Sequence, residues 1–307
     1  MVPQVSLVNN TFDSYLILYV DAVIHLLAMA SAADVDLTLD DFQRVSDKIP
    51  FIANLAPSGR YFMSDLHEIG GVPAVQKLLI HAGLLDGSIL TVTGKTLAQN
   101  VESFPSLPQD QSMIRPIDRP LKSSGHITIL RGNLAPGGAV AKLTGKEGLL
   151  FTGRAMVFNK EIELNTALNA GLIPRSPSLV IVVRYEGPAG GPGMPEQLKA
   201  SAAIKGAGLT NIALITDGRY SGASHGFIVG HIVPEAAAGG PIAFVKNGDI
   251  ITIDAKRRVI EVDVSDEEMA DRRKNWSPPQ SQVTRGVLAK YARLVGDASH
   301  GAVTDLF

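Results

Sequence analysis

The sequence predicts an α/β protein in which a helix-rich first part is followed by a β-dominated second part. In the first part, apolar and small residues dominate 14–33 and 74–82, and the segment Asp40–Val45 follows Thr38-Leu39. Beyond Pro120 the texture changes to short Val- and Ile-rich runs, each bounded by Gly or Pro. Long apolar segments of this kind favour helices, whereas short β-branched runs between chain breakers favour strands. Pro105, Pro108, Pro116 and Pro120 lie between the two textures and make 103–120 the best candidate for a linker.

Taken in order, the first helix is expected over 14–33 and the second over 40–45. Gly70-Gly71-Val72-Pro73 then punctuates the chain before a helix over 74–82 that ends at Gly83. Strands are expected at His126–Leu130, Ser178–Arg184, Ile212–Thr216, Gly226–Ile232, Ile242–Lys246, Asp249–Ile253 and Val259–Val264. Asn247-Gly248 between two of these predicts a hairpin, because a type I′ turn needs positive φ at its centre. Ser265 and Glu268 then supply the N-cap and N3 residues of a helix running towards Trp276, which Pro278-Pro279 stops.

Charge and composition exclude several classes. The 307 residues carry 28 Lys+Arg against 30 Asp+Glu, a formal charge of −2, which argues against a nucleic-acid binder. Hydrophobic residues at 45% and charged residues at 19% are ordinary for a compact globular protein. The absence of cysteine removes disulfides, thiol nucleophiles and any thiolate-held zinc or iron–sulfur centre supplied by this chain. No targeting signal is visible at Met1–Val5, and Asp21 and His25 interrupt the apolar stretch 15–33, which reads as a buried helix and not a membrane span.

Three motifs offer chemistry and lose it on inspection. Gly94-Lys95-Thr96 resembles the tail of a phosphate-binding loop, but Ile89 stands where that loop needs glycine. His67-Glu68 lacks the second histidine of a zinc helix, because position 71 is Gly, and reads as a surface pair. Gly222-Ala223-Ser224-His225-Gly226 matches a nucleophile elbow, yet five residues separate it from the preceding strand, where the elbow must sit directly on the turn.

Two stretches carry more. After the strand ending near Arg184, Tyr185–Glu196 interleaves Gly187, Gly190, Gly191 and Gly193 with three prolines. Such a loop lets backbone approach a ligand closely, and Glu196 at its end suits a hard cation; the alternative is a rigid turn with Glu196 solvated at a helix start. Thr216-Asp217-Gly218-Arg219-Tyr220-Ser221-Gly222 likewise follows an apolar strand. It would present the Ser221 hydroxyl between glycines and the Arg219 fork to a carboxylate; equally, it reads as an Asp-Gly turn that Ser and Arg merely cap.

These stretches, with His231–Ala237, Pro57–Tyr61, Thr91–Leu97 and Gly132–Gly138, resemble the dihydroxy-acid dehydratase and 6-phosphogluconate dehydratase family, from about residue 20 to the C-terminus. The likeness is to the C-terminal half of the family enzyme. It implies a fold in which residues 1–110 are the last, helix-rich part of an N-terminal α/β domain and 111–307 a β-barrel-like C-terminal domain. It implies a hydro-lyase that converts a 2,3-dihydroxy acid to a 2-keto acid in branched-chain amino-acid biosynthesis, using Mg²⁺ and a Cys-bound iron–sulfur cluster. Glu196 then matches a magnesium ligand and Ser221 the proton acceptor, with Arg219 as a carboxylate partner.

The same resemblance marks departures. The family's cluster cysteines and its other magnesium ligands belong to a half that this chain lacks, so a non-catalytic paralogue or fragment that binds a full-length relative is the other reading. Family members usually show Gly-Gly-Ser-Thr-Asn before the stretch matching Ala22–Leu27, where this chain has Leu18-Tyr19-Val20-Asp21. The loop between Glu196 and Ser221 is about one residue short, near Leu209-Thr210-Asn211. Expected partners are a small dihydroxy acid and a second chain, as homo-oligomer or with a full-length relative, since a domain lacking its partner strands exposes apolar surface. No nucleic acid or membrane partner is expected. Fungal relatives imply a mitochondrial location, and the missing signal leaves the cytoplasm open.

Overall fold

The computed structural model describes residues 20–56, 58–143, 148–220, 226–281 and 283–305. They form two compact units, one of residues 40–126 and one of 20–39 with 127–305.

The first unit is helical. Its helices are α2 (Leu39–Lys48, from Asp40 onward), α3 (Met63–Glu68), α4 (Gly71–His81) and α5 (Leu97–Val101). Thr96 caps α5 by accepting from Gln99 N at 3.2 Å while the Gln99 side chain accepts from Thr96 N at 2.9 Å, so the Gly-Lys-Thr motif ends as a capping box. His67 and Glu68 are exposed on α3, as expected of a surface pair. The proline-rich 103–120 stretch is irregular yet packed: Ile114 is buried with Ile52, Leu55, Leu66 and Leu79, and Asn54 N donates to Met113 O at 2.7 Å.

The second unit is a mixed, nearly closed barrel-like sheet flanked by helices. It contains α1 (Asp21–Ala32), β1 (Ile127–Leu130), β2 (Gly138–Lys142), β3 (Leu150–Phe158), α6 (Glu161–Asn169) and β4 (Leu179–Val183). The short strand β5 (Glu196–Gln197) precedes α7 (Lys199–Gly206), β6 (Ile212–Thr216), β7 (Arg219–Tyr220) and β8 (Phe227–Val233). β9 (Ile250–Asp254), β10 (Val259–Val262), α8 (Asp266–Lys274) and α9 (Val287–Leu294) complete it. The eight-stranded order is β1-β2-β8-β6-β4-β3-β9-β10, with β3, β4, β6 and β8 parallel and the outer pairs antiparallel. Arg131 draws the two ends together: its N–H donates to Arg258 O at 3.0 Å and its carbonyl accepts from Ile260 N at 2.8 Å.

Packing explains why the central strands read as unbroken apolar runs. Val180, Val182, Ala213, Ile215 and Val229 face the interior of the barrel. Their neighbours Ile181, Val183, Leu214 and Ile228 pack outward with Leu164 of α6 and Ala200 and Ile204 of α7. Parallel strands buried on both faces need hydrophobic residues at every position. β9, covered on one face, alternates instead.

Two sequence expectations fail for identifiable reasons. Ile242–Lys246 is not a strand: Pro241 starts a 3₁₀ turn over Pro241–Phe244. The Arg184 guanidinium receives the turn's carbonyls, donating to Ala243 O at 2.6 Å and Val245 O at 3.0 Å, so they are unavailable to a sheet. No hairpin therefore forms at Asn247-Gly248; Asn247 Oδ1 accepts from Val157 N at 2.6 Å, and β9 pairs with β3 and β10. β2 and β3 escape the sequence reading because β2 is mostly small residues and β3 alternates irregularly around Gly153 and Arg154. The capped helix after Ser265 is as expected, with Ser265 Oγ accepting from Glu268 N at 3.2 Å.

Arg184→Ala leaves those buried carbonyls without a donor and is expected to lower stability by about 2–3 kcal/mol. Urea denaturation monitored through Trp276 checks it; an unchanged midpoint contradicts the assignment.

Candidate active site

The site forms where parallel strands β4 and β6 end and their loops meet. Asp217, directly after β6, is fully buried and its carboxylate accepts three backbone N–H groups. Oδ1 takes Glu186 N at 3.0 Å; Oδ2 takes Tyr185 N at 3.0 Å and Ala236 N at 2.8 Å. One side chain thus ties the Gly/Pro loop after β4 to the segment after β8. Burial pushes the Asp217 carboxyl above its ordinary range, and the three N–H groups oppose that shift.

A second carboxylate shapes the same loop. Glu235 accepts from Ala189 N and Gly190 N, both at 2.8 Å. A Cβ on Gly187 would lie 2.6 Å from Glu235 Oε2, so only glycine allows this approach. Lys160 donates from the other side to Tyr185 O and to Gly190 O. The loop is therefore an ordered scaffold pinned by charged groups at both faces.

The pinned loops bring two short strands together. β5 pairs in parallel with β7, placing Glu196 opposite Arg219 and Gln197 opposite Tyr220. Gln197 is buried and donates to Thr216 Oγ1 at 2.8 Å, and Gly218 N donates to the same oxygen at 2.9 Å. A Cβ on Gly218 would come within 2.8 Å of Gln197 Nε2 and of Glu186 O, which is why the turn carries glycine.

Helix α1 brings further groups. Asp21 and His25 lie one turn apart, hence on one face. Arg219 Nη1 is 3.7 Å from Asp21 Oδ2 and 3.3 Å from His25 Nε2, while Arg219 Nε donates to Met194 O. His231, buried on β8 at a φ of 53°, places Nε2 at 3.8 Å from Asp21 Oδ1, beyond hydrogen-bond reach. Among the described residues neither His231 nitrogen nor Asp21 Oδ1 has a hydrogen-bond partner.

The electrostatics follow from this crowding. The neighbouring Asp21 carboxyl, helped by burial, raises the Glu196 carboxyl above the ordinary value. Burial pushes Asp21 upward, but His231, Glu196 and Arg219 outweigh it and hold Asp21 below the usual carboxylate range. Burial lowers His231, more than Asp21 raises it.

Of the residues singled out from sequence, the structure brings Glu196 and Arg219 side by side. Ser221, like Ser224 and the whole Gly222–Gly226 elbow motif apart from Gly226, lies outside the described residues. Glu196 sits in β5, three residues before α7 begins, and is exposed. Asp217 and Arg219 do not cap a local turn; both reach across the fold. Sequence reasoning missed Asp21, His25, His231 and Glu235. The first two carry a signal in the sequence, an i,i+4 pair of polar residues within an apolar helix.

Among the described residues no group of three or more His, Cys, Asp and Glu side chains is placed to hold a metal. Glu196 and Asp21 offer two adjacent carboxylates, a donor set suited to a hard divalent cation that takes its other ligands from water or substrate. No helix among the described residues is long and apolar enough to cross a membrane.

Comparison with known proteins gives this arrangement a class. The C-terminal domain model of dihydroxy-acid/6-phosphogluconate dehydratases matches residues 112–302, and the N-terminal domain model of the same enzymes matches residues 20–100. The chain belongs to the dihydroxy-acid/6-phosphogluconate dehydratase family. Among its relatives, it is 56% identical over 286 residues to a mitochondrial dihydroxy-acid dehydratase of Aspergillus terreus, covering 93% of this chain and 48% of the relative. It is 57% identical over 287 residues to a dihydroxy-acid dehydratase of Francisella tularensis subsp. novicida, covering 93% of this chain and 51% of that one. To the mitochondrial dihydroxy-acid dehydratase of Schizosaccharomyces pombe it is 50% identical over 310 residues, covering 99% and 52%. The chain spans about half the length of the curated relatives it matches.

Two titrations test the electrostatics. Asp21→Asn removes the like charge beside Glu196, so the Glu196 titration midpoint, read by ¹³C NMR of the side-chain carboxyl, falls towards the ordinary carboxylate value. His231 is depressed when folded, so the unfolded chain takes up the proton first. Its neutral form costs nothing above the unfolded value of about 6.5; below that, stability declines as pH falls towards the folded value. His231→Gln flattens that part of the stability–pH curve, measured by urea unfolding between pH 5 and 8.

Proposed function

We propose that this chain carries the C-terminal portion of a hydro-lyase site that dehydrates a 2,3-dihydroxy acid to a 2-keto acid. The observation that carries the reading is the β5–β7 pairing, which sets Glu196 beside Arg219 at the ends of β4 and β6, within a chain more than half identical to dihydroxy-acid dehydratases. Residues 1–110 are read as the last part of the family's N-terminal α/β domain and 111–307 as its barrel-like C-terminal domain. The break between the two matching family models supports that division.

Glu196 is the proposed ligand for Mg²⁺, and Asp21 beside it adds a second carboxylate to the donor set. When bound, a divalent cation polarises the substrate's carboxylate and hydroxyl oxygens. The chain's own residues do the rest. Arg219 offers guanidinium N–H groups to a substrate carboxylate next to Glu196. Ser221, in its deprotonated form, is the proposed acceptor of the C2 proton; the C2–H electron pair forms the C2=C3 bond as the C3–O bond breaks, the departing hydroxide takes the proton back from the Ser221 hydroxyl to leave as water, and the resulting enol tautomerises to the keto acid. Serine is a weak base at neutral pH, and a neighbouring cation and guanidinium lower the cost of its deprotonated form.

An iron–sulfur cluster does not fit the residues of this chain. It has no cysteine, and no step is routed through a cluster here. The second reading is a non-catalytic paralogue or fragment that binds a full-length dehydratase and turns nothing over by itself. Association as a homo-oligomer or with such a relative is part of the proposal. So is a mitochondrial location, which the fungal relatives' names support and the bacterial and chloroplastic relatives do not require.

The test is 2-keto acid formation from 2,3-dihydroxyisovalerate by the purified chain with Mg²⁺, with and without iron and sulfide reconstitution, and with added intact dehydratase. The catalytic reading expects turnover that falls at least about 10²-fold in Ser221→Ala and in Glu196→Gln. No turnover by the chain in the absence of intact dehydratase, together with tight binding to that enzyme, supports the partner reading instead.

A further inference from the structure

Resting on the reading of Glu196 as a cation ligand, we infer that Asp21 is a second protein ligand of the same divalent ion, held between the start of α1 and strand β5. Three placements carry this. Asp21 is 4% exposed, and its Oδ1 finds no hydrogen-bond partner among the described residues. A buried, unpartnered carboxylate oxygen is costly unless a ligand completes it. The second is His231, 3% exposed, aimed at Asp21 with Nε2 at 3.8 Å and both ring nitrogens unpartnered. The third is Arg219: 3.7 Å from Asp21 Oδ2 and directly opposite Glu196 in the β5–β7 pairing, it fixes both acids around one point.

The chemistry of the set selects the ion. Two carboxylates with no thiolate favour a hard, oxygen-loving divalent cation, and Mg²⁺ or Mn²⁺ is commonly held by one or two carboxylates with water or substrate oxygens in the remaining positions. Arg219, with Nη1 3.7 Å from Asp21 Oδ2, offsets part of the negative charge of the site in the ion-free chain.

The experiment is Mn²⁺ binding to the full chain, followed by electron paramagnetic resonance of free Mn²⁺ and by calorimetry with Mg²⁺. Asp21→Asn, of equal size, is expected to weaken binding at least about tenfold, and Glu196→Gln to do the same. Circular dichroism verifies the fold of each variant. In wild-type chain labelled with ¹³C-aspartate, the Asp21 carboxyl resonance is expected to shift on Mg²⁺ addition with the affinity found by calorimetry, a readout that needs no variant. Wild-type affinity in Asp21→Asn, or an unshifted Asp21 resonance, overturns the inference. If Glu196→Gln alone loses the ion, Asp21 is excluded while the role of Glu196 stands; if wild-type chain binds no ion, both fall.

Discussion

The structure of the candidate site depends on one buried carboxylate. Asp217 gathers N–H groups from Tyr185, Glu186 and Ala236, so two chain segments, the loop after β4 and the segment after β8, share a single acceptor. Irregular backbone at the end of a sheet must find partners for its amides, and a buried ion that accepts three of them offsets its own desolvation. With the loop after β4 and the segment after β8 fixed to the turn after β6, the β5–β7 pairing follows. Glu196 and Arg219 then have no freedom to part.

Around that frame the site concentrates opposing charges in little volume. Asp21 holds the Glu196 carboxyl above its ordinary value; Arg219 draws both acids the other way; burial lowers His231 more than Asp21 raises it. Such arrangements store electrostatic strain that ligands relieve, and perturbed groups of this kind gather at sites of chemistry. The three non-glycine residues with positive φ nearest the site, Tyr185, Met194 and His231, mark backbone held in strained conformations at the same place.

Much of this was legible in sequence. β4, β6 and most of β8 show as apolar runs because burial on two faces leaves no polar position, and the helix after Ser265 shows because its cap is local. The Gly/Pro loop and the Asp-Gly turn identified where Glu196 and Arg219 would lie. What was not legible depends on distant partners. Ile242–Phe244 has strand-like residues but gives its carbonyls to Arg184, a contact some sixty positions away. Asp217 looked like a turn former and is an anchor, and Asp21 with His25 gained meaning only when α1 lay against Arg219.

The way the sheet closes has a consequence for motion. β1 and β10 share no ladder; Arg131 and Asn133, just after β1, join it to β10 instead, Arg131 through Arg258 O and Ile260 N and the Asn133 side chain through both backbone groups of Val262. The barrel thus resembles a hoop fastened by one clasp, and the clasp lies across the strand order from β4 and β6. A seam closed partly by one asparagine side chain gives way more readily than a backbone ladder, and it lies away from the ends of β4 and β6. The loops that gather around Asp217 are thereby insulated from any opening of that seam.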